Sequence, residues 1–293
     1  MKSRTASEVF SVFLKLGLTS FGGPIAHLGF FHRELVERRQ WVTESQYAQL
    51  LALCQFLPGP ASSQLGFALG LLRANWPGAV AAFLAFTLPS ALLLFGFAAL
   101  LPHLSGPMGS AAIHGLKLVA LAVVAHGVLT MAKQLCPDAQ RAGIAAAAAV
   151  IILLSGQAWV QLLAVIAGGT AGLYLCRDAQ TASGSELTLP HGPRTGWILL
   201  GTFLVLLLGL PLLAGSSTLF ALFEAFYRAG ALVFGGGHVV LPLLEESVVG
   251  AGWVSADDFL AGYGAAQAVP GPMFSFAGYL GARMPGAEGG VLG

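Results

Sequence analysis

Apolar positions run in long blocks near residues 9–31, 46–72, 78–101, 111–131, 142–156, 158–175, 195–214, 217–244 and 258–282, with most polar residues in the gaps between. About 20 mostly apolar residues suffice for a transmembrane helix. The blocks lack the short period-two alternation of a membrane β-barrel strand. The pattern predicts an all-α polytopic membrane protein. Blocks 78–101 and 195–214 read as plain spans, and 142–175 as a tight hairpin turning near Ser155-Gly156-Gln157. The stretch CRDAQTASGSELTLPHGPR (176–194) is the one polar linker of any length. It divides the chain into a first repeat with spanning helices (1–175), a cytoplasmic linker (176–194) and a second repeat (195–293).

Two of the blocks are interrupted. FLPGPASSQLG (56–66) and AVPGPMFSFAG (268–278) each put two prolines around a glycine inside apolar sequence. Proline lacks the amide proton and clashes with the preceding turn, so both stretches should break a helix. The interruptions belong to an ordered internal match. LKLGLTSFGGP (14–24) aligns with YRAGALVFGGG (227–237), Trp41-Val42-Thr43 with Trp253-Val254-Ser255, and Gln55 with Gln267. Pro58-Gly59-Pro60 aligns with Pro270-Gly271-Pro272, Ser63 with Ser275 and Gly66 with Gly278. One insertion or deletion between the Gly-Gly and the tryptophan is all the register requires.

Charge orients the copies, because Lys and Arg in short loops favour the cytoplasm. Arg73, the 132–141 loop with Lys133 and Arg141, and the linker with Arg177 and Arg194 read as inside. The first copy's connecting loop holds Arg33, Arg38 and Arg39, whereas the second holds Glu245, Glu246, Asp257 and Asp258 with no basic residue. The two copies are therefore expected in opposite orientation. Lys2 and Arg4 then share a side with Arg33–Arg39 only if 9–31 and 46–72 each enter and leave on one face, broken at Gly22-Gly23-Pro24 and Pro58-Gly59-Pro60.

Composition supports the membrane reading and narrows the chemistry. The 293 residues are 56% hydrophobic and 9% charged, with mean hydropathy +0.78, against about 25% charged in soluble chains. A formal charge of +1 points to no polyanion, hence no nucleic-acid partner. Cys54, Cys136 and Cys176 have neither CxxC spacing nor an even count and read as small packing residues. His27, His114, His126 and His238 form no i, i+4 pair, so no metal site is expected. Neither GxSxG nor a P-loop occurs, so hydrolase and ATPase chemistry lack their usual residues and no cofactor is implied. The opening MKSRTASEVF has no cleavage signature, and no signal peptide is expected.

In lipid, unpaired backbone groups cost several kcal/mol, so a broken helix persists only where protein or a watery cavity satisfies it. The second half of such a helix starts with free N–H groups at the positive end of its dipole, a ready-made anion site. Ala61, Ser62 and Ser63 offer amides and two hydroxyls after the first break; Met273, Phe274 and Ser275 offer amides and one hydroxyl after the second. Gly22-Gly23 and Gly235-Gly236 let backbone approach a ligand closely. Lys15 and Arg228 are cations in apolar context, which favours an anionic substrate over a cationic one. Gln55 and Gln267 could bond ligand oxygens, with helix–helix bonding the equal alternative. The candidate binding set is thus Lys15, Gly22, Gly23, Gln55, Pro58, Gly59, Pro60, Ser62, Ser63, Arg228, Gly235, Gly236, Gln267, Pro270, Gly271, Pro272 and Ser275. Glu224 is expected to partner Arg228 across one helical turn. Lys117 lies within a span, and the four second-copy carboxylates read as a solvated face.

These motifs, GLTSFGGPIAHLGFFHRELVERRQWVTESQYAQLLALCQFLPGPASSQLG and GALVFGGGHVVLPLLEESVV with GWVSADDFLAGYGAAQAVPGPMFSFAGYLGA, resemble the chromate ion transporter family over about residues 8–130 and 195–290. The resemblance implies a plasma-membrane (inner-membrane) multi-pass protein of the two-domain type that exports chromate and confers resistance. Its partners would be the oxyanion, the bilayer and, as one option, a second copy. Transport of another oxyanion such as sulfate, or a non-transporting truncated subunit, stay open as alternatives. After the second Pro-Gly-Pro the chain ends at GARMPGAEGGVLG without counterparts of 78–101 and 111–131, which reads as a truncated product or partial sequence.

Overall fold

The computed structural model describes residues 5–104, 106–136, 138–155, 158–175, 192–233, 241 and 243–284, and every described regular element is helical. The chain divides into two compact units, one of residues 1–120 and 184–293, the other of 121–183. In the second, helix α6 (Ala139–Ser155) packs along α7 (Ala158–Leu175), the hairpin expected from the Ser155-Gly156-Gln157 turn. Gly156 and Gln157 themselves lie outside the described residues.

The first unit opens with α1 (Ala6–Thr19), whose N-cap Thr5 accepts a hydrogen bond from the Glu8 amide. The chain breaks at Ser20–Gly22, and α2 (Gly23–Phe31) continues into a π-helical turn, His32–Arg38. Helix α3 (Glu44–Phe56) starts in a full capping box between Thr43 and Gln46 and ends at the first Pro-Gly-Pro. Next comes α4 (Ala61–Leu100), two arms rather than one rod: Ala74 and Asn75 leave helical geometry, with Asn75 at φ +59. The arms, 61–73 and 76–100, fold back on each other with Gly70 against Gly78, so close that neither position has room for a Cβ. Small residues at this crossing supply the backbone approach that stabilises helix pairs in lipid.

The long arm packs one face inward and leaves the other bare. Gly78, Ala79, Ala82, Ala85, Phe86 and Ser90 are buried, whereas Val80, Phe83, Leu84, Leu88 and Leu92 are exposed. Gly17 of α1 lies on the buried side, where an added Cβ would stand 2.8 Å from the Phe86 carbonyl oxygen. Phe13, Phe31 and Phe86 meet edge to face, with centroids 5.1–6.5 Å apart, and His27 joins them 5.3 Å from Phe86. His27 is therefore a packing residue in a fully enclosed position.

Helix α5 (Pro107–Leu135) follows, then α8 (Pro193–Leu213), α9 (Thr218–Ala231), α10 (Ala256–Ala268, capped by Ser255) and α11 (Phe276–Arg283). Thr43 and Ser255, aligned in sequence, cap α3 and α10 alike. Among the described residues, two helical stretches, 61–103 and 193–213, are long and apolar enough to cross a bilayer. In α8 only Leu210 is buried, while Trp197, Ile198, Val205 and Leu208 are about 70% exposed. An apolar surface that extensive suits hydrocarbon rather than water.

Candidate functional site

Ion pairs fix the open ends of the helical hairpins. Arg73 donates to Glu8 at 2.9 Å, and its guanidinium lies 5.0 Å from the centre of the Trp41 ring. Arg39 Nε donates to Glu34 at 2.7 Å and Arg38 at 3.0 Å. The beginning of α1, the end of the π turn, the start of α3 and the end of the short α4 arm thus meet at one end. Burial raises the Glu34 pKa, but the bonds from Arg39 and Arg38 outweigh it and hold the carboxyl below its ordinary value. In the later part, Arg283 donates to Asp258 at 2.8 Å and the Tyr279 hydroxyl donates to the Asp258 carbonyl at 2.9 Å, joining the start of α10 to the end of α11.

The interruptions lie at the closed tips of these hairpins, and they are bonded across the molecule. The Gly59 amide donates to the Val233 carbonyl at 2.6 Å, and the Gly271 amide donates to the Ser20 carbonyl at 3.0 Å. Ser20 aligns with Val233 and Gly59 with Gly271, so the same bond is made twice, each time from one copy's Pro-Gly-Pro to the other copy's segment before its Gly-Gly. Both glycines take left-handed backbone, φ +122 at Gly59 and +107 at Gly271. L residues rarely adopt such φ values, and this conformation turns the amide outward between two prolines that have none to give.

Beyond the first tip a helix begins without a side-chain cap. Pro60 caps α4 without a side-chain bond, and the Ala61, Ser62 and Ser63 amides precede the first helical bond, Gln64 N–H to Pro60. Ala61 and Ser62 are buried, and Ser63 is half-buried. Gln64 instead folds back to donate to the Pro58 carbonyl at 2.7 Å. After the second break the chain makes a 3₁₀ turn, Met273–Ser275. Ser275 spends both amide and hydroxyl on the Pro272 carbonyl, at 3.1 and 2.6 Å. Pro270, Gly271 and Pro272 are fully enclosed, with Gly271 packed against Ser90 and Gly17.

The remaining candidates divide. Gln267 is buried, donates to the Tyr263 hydroxyl at 2.6 Å, and holds its carbonyl oxygen 3.9 Å from where a Gly23 Cβ would stand. Gly22 and Gly23, at φ +94 and +76, form the α1–α2 turn beside it. Gln55 and Lys15 are exposed. Arg228 pairs with Glu224 at 3.0 Å, as expected from their spacing, with about half its side chain exposed. Gly235 and Gly236 lie outside the described residues. Two features were not anticipated from sequence. Lys117 pairs with Asp257, and Asp258 with Arg283, so half of the supposed solvated acidic face is engaged, while Glu245 and Glu246 are exposed. No local signal links positions 140 residues apart.

Interrupted helices tip to tip, with backbone donors at the breaks and an apolar exterior, define an all-α membrane protein built around discontinuous helices. The model of the family described as chromate transporter matches residues 7–173 and 220–293. The chain belongs to that family. It is 32% identical to a probable chromate transport protein of Synechococcus elongatus over 96% of this chain and 70% of the relative. It is 29% identical to the chromate transport protein of Pseudomonas aeruginosa, over 97% and 68%, and 29% identical to that of Cupriavidus metallidurans, over 97% and 69%. No solved structure matches significantly. Family membership makes the protein an integral membrane protein and a transporter rather than an enzyme.

Proposed function

We propose that this protein is a secondary transporter that carries chromate out of the cytoplasm across the plasma membrane, and that its presence confers chromate resistance. The observation that carries the reading is the paired bond of Gly59 to Val233 and Gly271 to Ser20. Like positions of two copies grip each other at their breaks, the arrangement in which discontinuous helices of two opposed repeats enclose a substrate near the membrane midplane. Opposite orientation is supported by the loops between the paired motifs: the first copy's holds Arg33, Arg38 and Arg39, and the second copy's holds no Lys or Arg. Re-entrant hairpins account for both.

Chromate is a tetrahedral dianion, and the amides of Ala61–Ser63, with the Ser62 and Ser63 hydroxyls, present donors without a fixed positive charge to oppose release. Ser275 joins them once its hydroxyl leaves Pro272. Gln55 and Gln267 bond remaining oxygens, and Lys15 and Arg228 offset charge along the approach. Export of a dianion from a negative-inside cell is favoured by about 4.6 kcal/mol at 100 mV.

The test is radiolabelled chromate flux in inside-out vesicles carrying this chain. Uptake is expected to rise with an inside-positive potential and to fall after Lys15→Gln or Arg228→Gln, with the amount of folded protein unchanged. Sulfate competition measures selectivity among tetrahedral dianions. Absence of potential-dependent uptake by the wild-type chain refutes the function.

A further inference from the structure

A cavity of about 310 Å³ opens where the long arm of α4 ends at Leu101 and Pro102, between α5 and the α10–α11 hairpin. Lys117 of α5 and Arg283 of α11 both line it, and each is tied to a neighbouring carboxylate of α10: Lys117 to Asp257 at 2.6 Å, Arg283 to Asp258 at 2.8 Å. Two cations on separate helices therefore converge on one space, bridged by two adjacent acids.

The donors are far from exhausted. Lysine has three N–H donors and arginine five. Lys117 uses one on Asp257, and the Arg283 Nε is enclosed without a hydrogen-bond partner among the described residues. Lys117 also arises from the apolar sequence AAIHGLKLVALAVV, where a cation is costly unless it serves a pathway. At about 30 Å³ per water, 310 Å³ holds a tetrahedral dianion together with several waters. The Asp257 side chain is 87% exposed, and an exposed ion pair contributes little because water screens it. Its carboxylate is displaceable by an anion of higher charge.

We propose that this cavity is an outer docking site for a divalent tetrahedral oxyanion, with Lys117 and Arg283 as its ligands and Asp257 and Asp258 as built-in competitors that keep it closed to weaker anions. It rests on the transport reading for its purpose but is a separate site. Nine residues of α10 separate Asp258 from Gln267, about 14 Å at helical rise, so the docking site and the second break lie at opposite ends of one helix. An anion leaving the breaks meets these two cations before bulk solvent.

The alternative is a pair of static staples between helices, and the two predict opposite signs. The probe is radiolabelled sulfate binding to the purified full chain in lipid nanodiscs, alongside chromate flux in vesicles. Asp257→Asn is expected to tighten sulfate binding about two- to fivefold by releasing Lys117, the small gain that a screened, exposed pair allows. Lys117→Gln is expected to weaken it by at least fivefold, with Lys117→Arg retaining most of it. Unchanged or weaker binding in Asp257→Asn overturns the docking site, and it does so even if Lys117→Gln fails to fold. Chromate flux with an indifferent Asp257→Asn removes the docking site and keeps the transport function. The expected binding signature without wild-type flux removes the function and keeps the site, and a wild-type chain that binds no oxyanion removes both.

Discussion

Replacing Gly271 by alanine tests whether the second break is held as a left-handed turn locked into the first copy. The cost has two parts. At φ +107 an alanine is strained by about 1–3 kcal/mol. Its Cβ would also stand 2.7 Å from the Ser90 hydroxyl oxygen and 2.9 Å from the Ser90 Cβ. The hydroxyl can rotate away, but the Cβ is fixed to the α4 backbone, so α4 and the break must separate, adding about 1–3 kcal/mol of overpacking. The expected loss is about 2–6 kcal/mol. Gly59→Ala carries the same backbone strain, at φ +122, but the atoms nearest its Cβ belong to the flexible Gln64 side chain. That side chain swings aside for the loss of its bond to Pro58, about 1 kcal/mol. Thermal unfolding in detergent, followed by fluorescence-detected size exclusion, should therefore rank Gly271→Ala below Gly59→Ala. Adding Ser90→Gly should recover the steric part in the first variant and nothing in the second. Wild-type stability for Gly271→Ala, or equal recovery of both variants, would refute the geometry of the cross-bonded breaks.

Other predictions concern the charged end. Glu34→Gln removes the negative charge and one of the two oxygens that accept from Arg38 and Arg39, at an expected cost of about 1–3 kcal/mol. Because the folded Glu34 pKa is lowered, its contribution is complete above the ordinary carboxylate pKa and is lost as pH falls through the lowered value. Melts between pH 7 and pH 3 should show a larger acid-induced loss in the wild type than in Glu34→Gln, which keeps only the share of the other paired carboxylates. Arg73→Lys should destabilise by about 1–2 kcal/mol, since lysine reproduces neither the forked contact with Glu8 nor the stacking on Trp41; Trp41→Leu in the same background should add less than it costs alone. Gly70→Val should prevent the two arms of α4 from closing, read as loss of the monodisperse peak, because the Gly78 backbone fills the space its side chain needs.

Local physics made much of this protein readable from its residues. Long apolar runs and the Pro-Gly-Pro breaks depend on neighbours a few positions away, and the helices and their interruptions fall where those residues place them; the Thr43 and Ser255 caps follow the same local physics. Charge counts also brought Arg73 and Arg38–Arg39 to one side, where they share Glu8 and Glu34 with α1 and the π turn. The gap at 73–77, with Arg73 in it, already separates two apolar blocks, but only Asn75 with its positive φ and the Gly70–Gly78 contact show how tightly the two arms close.

The sequence by itself determined where the helices run, where they stop and that one set of motifs appears twice, because periodicity, capping and proline geometry act over a turn or two of chain. Tertiary structure alone decided what the breaks bond to and which charges meet. Gly59 finds Val233, Gly271 finds Ser20, and Lys117 finds Asp257 only when helices distant in the chain close on one another. A backbone donor carries no mark in the sequence of the acceptor it will reach, and in lipid every such donor must reach one.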